Sequence, residues 1–155
     1  MKKYELTEET FTVFGKTLYR IRAVRDFGSV KTGEFGGYIE KEENLSHFGD
    51  AWVYGNAKVY GDARVSGNAW VYGNAEVFNT RHFFVQGPIG SRDGYVTFYR
   101  TKDDTVEVRC GCFSGSLQEF VNQVEETHGG SRYEKEYKLA AELAKVCIRL
   151  EGESR

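Results

Sequence analysis

The side chains best suited to hold an anion stand in the segment Gly-Pro-Ile-Gly-Ser-Arg, residues 87–92. Gly90 lets backbone N–H groups converge on a ligand, Ser91 adds a hydroxyl, and Arg92 can bind two phosphate oxygens at once. The segment lacks the Lys-Ser/Thr pair of a P-loop, so it is not a Walker motif. The pattern predicts an anion-binding loop; the alternative is a plain connector between two elements.

A small basic cluster is predicted beside this loop, formed by Arg64, Arg81 and His82. Together with Gly90, Ser91 and Arg92 these residues make up the predicted ligand-binding set, and the alternative for the cluster is a solvated surface. His82 is the only histidine that we consider as a general base. No Ser-His-Asp or Cys-His constellation is readable in the sequence, so no catalytic residue is predicted beyond this weak candidate.

Cys110 and Cys112 flank a single glycine and would place two thiols on one face of a strand. A metal site needs two more ligands, and only His128 and Cys147 are available to supply them. A C-x-C pair without a second pair favours small core residues over metal ligands. We therefore predict no metal and no cofactor.

From His47 onward the sequence falls into units of six residues, and we call residues 47–88 the hexapeptide segment. Four consecutive units keep Val first, Gly third, Asn or Asp fourth and Ala fifth. Val and Ala are apolar and suit an interior, whereas Gly followed by Asn or Asp suits a turn. Three such units would close one triangular coil, which predicts a left-handed parallel β-helix; the alternative is a flat antiparallel sheet.

In such a coil, residues separated by three units stack on one another. Trp52 should lie beside Trp70, and Tyr54 beside Tyr72, at outward-facing places of their units. Clustered exposed aromatic side chains mark an interface, so these four residues are predicted to form a subunit contact. A second interpretation, compatible with the first, is that their rings stack on a flat ligand such as a nucleotide base.

The segments on either side predict capping elements. Residues 4–27 alternate as a β-hairpin that turns at Gly15-Lys16. Two strands and two helices follow residue 90, and Ser116 with Glu119 has the spacing of a capping box. The predicted fold is mainly β: a short left-handed parallel β-helix with an N-terminal β-hairpin cap and a C-terminal ββαα appendage. The predicted boundaries are 1–44 for the cap and first coil, 45–90 for the hexapeptide repeats and 91–155 for the appendage.

Five further segments carry a resemblance to a known family: residues 21–27, 30–33, 36–40, 45–46 and 49–54. Over residues 20–78 the chain resembles the YdcK-like branch of the hexapeptide-repeat, left-handed β-helix family. The resemblance implies a homotrimer around a threefold axis and, because hexapeptide acyltransferases use an interface histidine, an acyltransferase-like role for His82. The Gly-Pro-Ile-Gly-Ser-Arg segment and the later Cys-Gly-Cys-Phe segment resemble the tail of small phage-encoded proteins of unknown function.

Composition restricts the function classes. Lys and Arg total 21 against 23 Asp and Glu, and this net charge of −2 gives no general reason to expect extended nucleic acid or an anionic membrane as partner. No apolar run approaches the ~20 residues of a membrane span, and no signal peptide is seen. Three cysteines in such a chain indicate reduced thiols in a cytoplasm, that of the host if the protein is phage-encoded.

We therefore expect a non-catalytic, homo-oligomeric binding module that takes a small anionic or nucleotide ligand. The phage-like tail suggests that it sequesters a nucleotide-type immune signal at subunit interfaces. The alternatives are an acyltransferase-like enzyme and a purely structural or protein-interaction module.

Overall fold

The computed structural model describes residues 2–151 and divides the chain into two compact units, one up to Thr80 and one from Arg81 onward. This single division does not coincide with the predicted boundaries after residues 44 and 90. Each unit has its own buried apolar residues.

The described part of the first unit contains seven strands and a short 3-10 turn at Glu42–Asn44. The strands are β1 (Tyr4–Val13), β2 (Lys16–Ala23), β3 (Phe35–Ile39), β4 (Trp52–Val53), β5 (Lys58–Val59), β6 (Trp70–Val71) and β7 (Glu76–Val77). A five-stranded sheet has the order β1-β2-β3-β5-β7, and β4 pairs with β6 alone. The β1–β2 and β2–β3 pairs are antiparallel, whereas β3–β5, β5–β7 and β4–β6 are parallel.

The predicted N-terminal hairpin is confirmed, but its turn residues are Phe14 and Gly15, one position earlier than expected. Gly36 and Gly37, which follow the hairpin, lie within β3. A Cβ atom on Gly36 would approach the Val53 carbonyl oxygen to 2.5 Å, and one on Gly37 would approach the Ala57 carbonyl oxygen to 2.6 Å. The Gly-Gly pair therefore allows β3 to lie directly against the hexapeptide segment.

Within the hexapeptide segment, pairing at the predicted separation of 18 residues is confirmed for two pairs of strands, β4–β6 and β5–β7. Trp52 pairs with Trp70, and Lys58 pairs with Glu76. The first and fifth residues of the units line the interior as expected, each at most 2 % exposed. They are Val53, Ala57, Val59, Ala63, Val65, Ala69, Val71 and Ala75.

The predicted fold class is nevertheless wrong. The described chain is mixed α/β, its sheets are antiparallel or mixed except for the two-stranded β4–β6 pair, and no sheet has the form of a solenoid. The physical reason lies in the strand length. Turns recur so often that each repeat strand has only two residues, and the five-stranded sheet is built mainly on the long antiparallel strands β1 and β2.

The second unit packs two helices on a four-stranded antiparallel sheet, whereas the predicted appendage had only two strands. The elements are β8 (Phe83–Ile89), β9 (Gly94–Arg100), β10 (Val106–Cys110), β11 (Phe113–Ser116), α1 (Leu117–His128) and α2 (Arg132–Cys147). The order of the strands in the sheet is β11-β10-β9-β8. A further 3-10 turn spans Thr80–His82.

The start of α1 is set by local chemistry. The Glu119 N–H donates to Ser116 Oγ at 3.1 Å, and the Ser116 N–H donates to Glu119 Oε1 at 2.8 Å, which confirms the predicted capping box. Phe120 of α1 then contacts Phe98 of β9 and Tyr137 of α2 edge-on, each at 5.8 Å between ring centroids. Neither helix in residues 2–151 combines the length and apolarity needed to cross a membrane.

Candidate functional site

The first unit contains a groove of about 320 Å³. Two turns supply its walls: one follows β3, and the other belongs to the hexapeptide segment. The lining residues are Lys41, Glu43, Gly61, Asp62, Ala63 and Arg64. The groove therefore contains Arg64 of the predicted ligand set, together with Lys41, which sequence reasoning missed.

A buried asparagine holds these two turns together. Asn44 is 0 % exposed. Its Oδ1 accepts hydrogen bonds from the N–H groups of Glu40 and Lys41, at 3.2 and 3.0 Å. Its Nδ2 donates to the carbonyl oxygens of Gly61 and Ala63, at 3.2 and 2.9 Å. Because all four bonds go to backbone, Asn44 fixes the position of both walls independently of the charged side chains.

Glu40 adds a second link between the walls. Its Oε1 accepts a hydrogen bond from the Gly61 N–H at 2.9 Å, and its carboxylate pairs with Lys16 at 3.5 Å. The bond to Gly61 and, to a smaller degree, the charge of Lys16 hold the pKa of Glu40 below its usual value. Glu40 is therefore a structural carboxylate, ionised at neutral pH and already engaged.

The charged side chains that line the groove differ from Glu40 in their exposure and in their ion pairing. Lys41, Glu43, Asp62 and Arg64 are exposed, and none of the four forms an ion pair within residues 2–151. The groove thus presents two cations and two carboxylates that remain open to a ligand. Such a set can bind an anionic group and a hydrogen-bond donor of the same molecule.

The other predicted ligand residues do not share this groove. Arg81, His82, Gly90, Ser91 and Arg92 belong to the second unit, whereas Arg64 belongs to the first. Within the second unit, Arg81, Ser91 and Arg92 are exposed and His82 is buried.

The surroundings of His82 do not favour a general base. The side chain is only 5 % exposed. Burial, followed by the nearby Arg100 guanidinium, lowers the pKa of His82 to about 4, although Asp104 opposes the shift. An efficient general base has a pKa near the working pH and can reach its substrate. The imidazole is therefore neutral at physiological pH and poorly accessible.

The loop at residues 87–92 already contacts a carboxylate of its own chain. The Gly90 N–H donates to Glu136 Oε1 of α2 at 2.7 Å. Gly90 has φ +82°, and a Cβ atom there would lie 1.8 Å from Tyr137 Oη. The Gly90 amide that was predicted to receive an external anion thus serves to dock the loop on α2, while Ser91 and Arg92 remain exposed.

The predicted aromatic interface residues differ in their burial. The expectation that Trp52 faces outward is wrong, because it is 1 % exposed and packs edge-on against Phe27 at 5.1 Å. Tyr54, Trp70 and Tyr72 are half-buried and contact one another. Tyr54 stacks on Tyr72 at 4.3 Å and meets Trp70 edge-on at 5.2 Å. We call these three residues the aromatic trio.

The three cysteines are free thiols. Cys110 is half-buried, and burial raises the pKa of its thiol, while Cys112 is exposed. Within the described residues no group of three His, Cys, Asp or Glu side chains could hold a metal ion.

Comparison with known proteins assigns no family. No family model matches the sequence, and no curated protein matches it.

Proposed function

We propose that the chain is a non-catalytic binding module whose groove takes a small ligand with an anionic group. The observation that carries this proposal is the pair of cations, Lys41 and Arg64, which face one groove without an ionic partner in residues 2–151. Arg64 can bind two oxygens of a phosphate or carboxylate, and Lys41 adds a point charge. Walls fixed by Asn44 reduce the ordering cost of binding.

The two carboxylates of the groove further limit the kind of ligand that can bind there. Glu43 and Asp62 would repel a molecule that is anionic throughout, and they favour one that also carries amino or hydroxyl donors. A nucleotide fits this requirement, because it combines a phosphate with ribose hydroxyls and, on most bases, an amino group. No aromatic side chain lines this groove among the described residues, so binding depends on charge and hydrogen bonds instead of base stacking.

Isothermal titration calorimetry with a panel of mononucleotides, cyclic nucleotides and ADP-ribose tests this proposal. We expect at least one ligand to bind the wild-type chain, and Arg64→Gln or Lys41→Gln to weaken it by roughly 10- to 100-fold, because each removes a charge-assisted bond. Arg92→Gln is the matched control, since Arg92 is also exposed but lies in the second unit. Absence of heat across the panel contradicts the proposal. Loss of binding in Arg92→Gln alone would assign the ligand to the loop at residues 87–92.

A second function, self-association, is favoured by the aromatic trio. Tyr54, Trp70 and Tyr72 form a stacked, half-buried group, and large aromatic side chains supply much of the binding energy of protein interfaces. A homotrimer would give the binding module its oligomeric form. Sedimentation velocity should then show a trimer for the wild-type chain and a monomer for Trp70→Ala. Tyr95→Ala, at a half-exposed tyrosine of β9, is the control. A wild-type monomer would exclude this function.

The proposed compartment is a cytoplasm, because all three thiols are free. For an acyltransferase-like enzyme the neutral, buried His82 offers no support. We therefore retain binding, not catalysis, as the proposed function.

A further inference from the structure

Helix α2 carries two apolar faces, and the second unit uses only one of them. The inner face packs against α1 and the sheet, and its residues are at most 9 % exposed. These residues are Tyr137, Ala140, Ala141 and Ala144. The opposite side presents Leu139, Leu143 and Val146, with exposed fractions of 70, 46 and 69 %. We call these three residues the outer face of α2.

The spacing of the outer face makes it one continuous stripe. Leu139, Leu143 and Val146 are separated by four and three residues, so that they lie on the same side of the helix in successive turns. Helix α1 shows the ordinary arrangement, in which the exposed positions are polar. They are Gln118, Glu119, Asn122, Gln123, Glu125, Glu126 and Thr127. Single exposed leucines are common on protein surfaces, but a stripe at helical spacing is typical of a helix that packs against another helix.

Two cations stand at the N-terminal end of the stripe. Lys135 precedes Leu139 by four residues and Arg132 precedes it by seven, which places both on the outer face. Both are exposed, and neither forms an ion pair within residues 2–151. Other lysines of the helix are neutralised: Lys138 pairs with Glu125 at 2.6 Å, and Lys145 pairs with Glu142 at 3.1 Å. The uncompensated charge next to the stripe is therefore positive.

A second copy of α2 would not complement this charge. All three carboxylates of the helix are already engaged within the chain. Glu134 pairs with Lys138 at 3.2 Å, Glu136 accepts a hydrogen bond from Gly90, and Glu142 pairs with Lys145. A copy would have to break one of these contacts to meet Arg132 and Lys135.

We propose that the outer face of α2 binds an acidic amphipathic helix of a different protein. The partner helix would place apolar side chains on Leu139, Leu143 and Val146 and carboxylates opposite Arg132 and Lys135. This interaction lies outside the groove and does not depend on the proposed ligand.

Fluorescence anisotropy with a designed helical peptide tests the proposal on the full chain. The peptide carries leucines at helical spacing and glutamates flanking one end of the stripe; a matched peptide has lysines in place of the glutamates. We expect the glutamate peptide to bind at least about tenfold more tightly than the lysine peptide. Leu143→Gln and Lys135→Gln should each weaken binding of the glutamate peptide by roughly tenfold. The control is Phe48→Gln, because Phe48 is 83 % exposed in the first unit.

Equal affinity for the two peptides, or binding that Leu143→Gln leaves unchanged, overturns the proposal. Two further measurements identify other occupants. Cosedimentation with phosphatidylglycerol vesicles that is lost in Leu143→Gln would assign the face to a membrane surface. Concentration-dependent self-association lost in the same variant would assign it to a second copy. Either result also overturns the proposal. Since Leu143 is half-exposed, Leu143→Gln should retain the wild-type circular dichroism spectrum.

Discussion

Raising the pH should stabilise the first unit through Lys3. The side chain is 0 % exposed, and its Nζ donates to the carbonyl oxygens of Ala51 and Gly49, at 2.6 and 3.4 Å. The ammonium also lies 4.7 Å from the ring centroid of Phe27. Burial, and then the charge of Arg25, lowers the pKa of Lys3 to about 8 from an ordinary value of 10.5.

The sign and size of the change in the free energy of unfolding follow from the difference between the pKa of Lys3 in the folded chain and its ordinary value. Between pH 8 and 10.5 the folded chain loses the Lys3 proton while the unfolded chain retains it, so the unfolded state binds more protons and the free energy of unfolding rises with pH. From about pH 7 to about pH 9.5 the Lys3 contribution rises by about 2 kcal/mol. Burial raises the pKa of Tyr4, whose opposite effect begins near the pKa of an unfolded tyrosine, about 10, so the measurement should stop below it.

Urea denaturation followed by tryptophan fluorescence measures this quantity in the correct unit, because both tryptophans, Trp52 and Trp70, lie before Thr80. The wild-type chain should gain about 2 kcal/mol more than Lys3→Met over the same pH interval. Lys2→Met is the matched control and should keep the wild-type rise, since the Lys2 side chain is 67 % exposed. Equal pH profiles for the wild-type chain and Lys3→Met would refute the reasoning.

Three further substitutions test other parts of the structure. Phe14 is 87 % exposed with φ +48°, a conformation that asparagine tolerates better, so Phe14→Asn should raise the free energy of unfolding by about 1 kcal/mol in the same urea assay; a decrease would contradict this. Gly90→Ala should destabilise the second unit by about 2 kcal/mol or more, because the new Cβ meets Tyr137 Oη; Gly94→Ala, with open space, is the control in near-ultraviolet circular dichroism. The pKa of His82 is lowered to about 4, so below pH 6.5 the unfolded chain gains a proton that the folded chain does not bind. The free energy of unfolding should therefore fall by about 2 kcal/mol between about pH 7 and about pH 5. His82→Gln should lack this loss, and an equal loss in the variant would show that another group titrates.

Several features could be predicted from the sequence because they depend on neighbours along the chain. The turn formed by the Gly of each unit and the Asn or Asp after it sets the six-residue phase, and this phase places Trp52 beside Trp70 and the valines inside. The capping box at Ser116 requires only two residues three positions apart. The fold class could not be predicted from the sequence in the same way. The periodicity indicated a β-helix, whereas the long antiparallel strands and the two helices make the described chain mixed α/β.

The candidate site depended on contacts that the sequence order does not contain. Arg64 was recognisable as a cation, but Lys41 is 23 positions earlier and lines the same groove because Asn44 and Glu40 link the two walls. The one signal in the sequence that could have indicated this link was Asn44, an asparagine shortly before the first repeat. Tertiary packing also explains why two predictions are wrong. Trp52 does not face outward because Phe27 packs against it, and the Gly90 amide is not open to an external anion because it donates to Glu136.

Short-range sterics and hydrogen bonding decide the turns, the inward position of the valines and alanines in the hexapeptide segment and the start of α1, so these features follow from the order of the residues alone. Which charges remain open to a ligand, and which aromatic rings are covered, depends on how the elements pack in three dimensions. Burial and ion pairing arise between elements that are distant in sequence, so the same arginine, histidine or tryptophan can bind a partner or serve the core according to what packs against it.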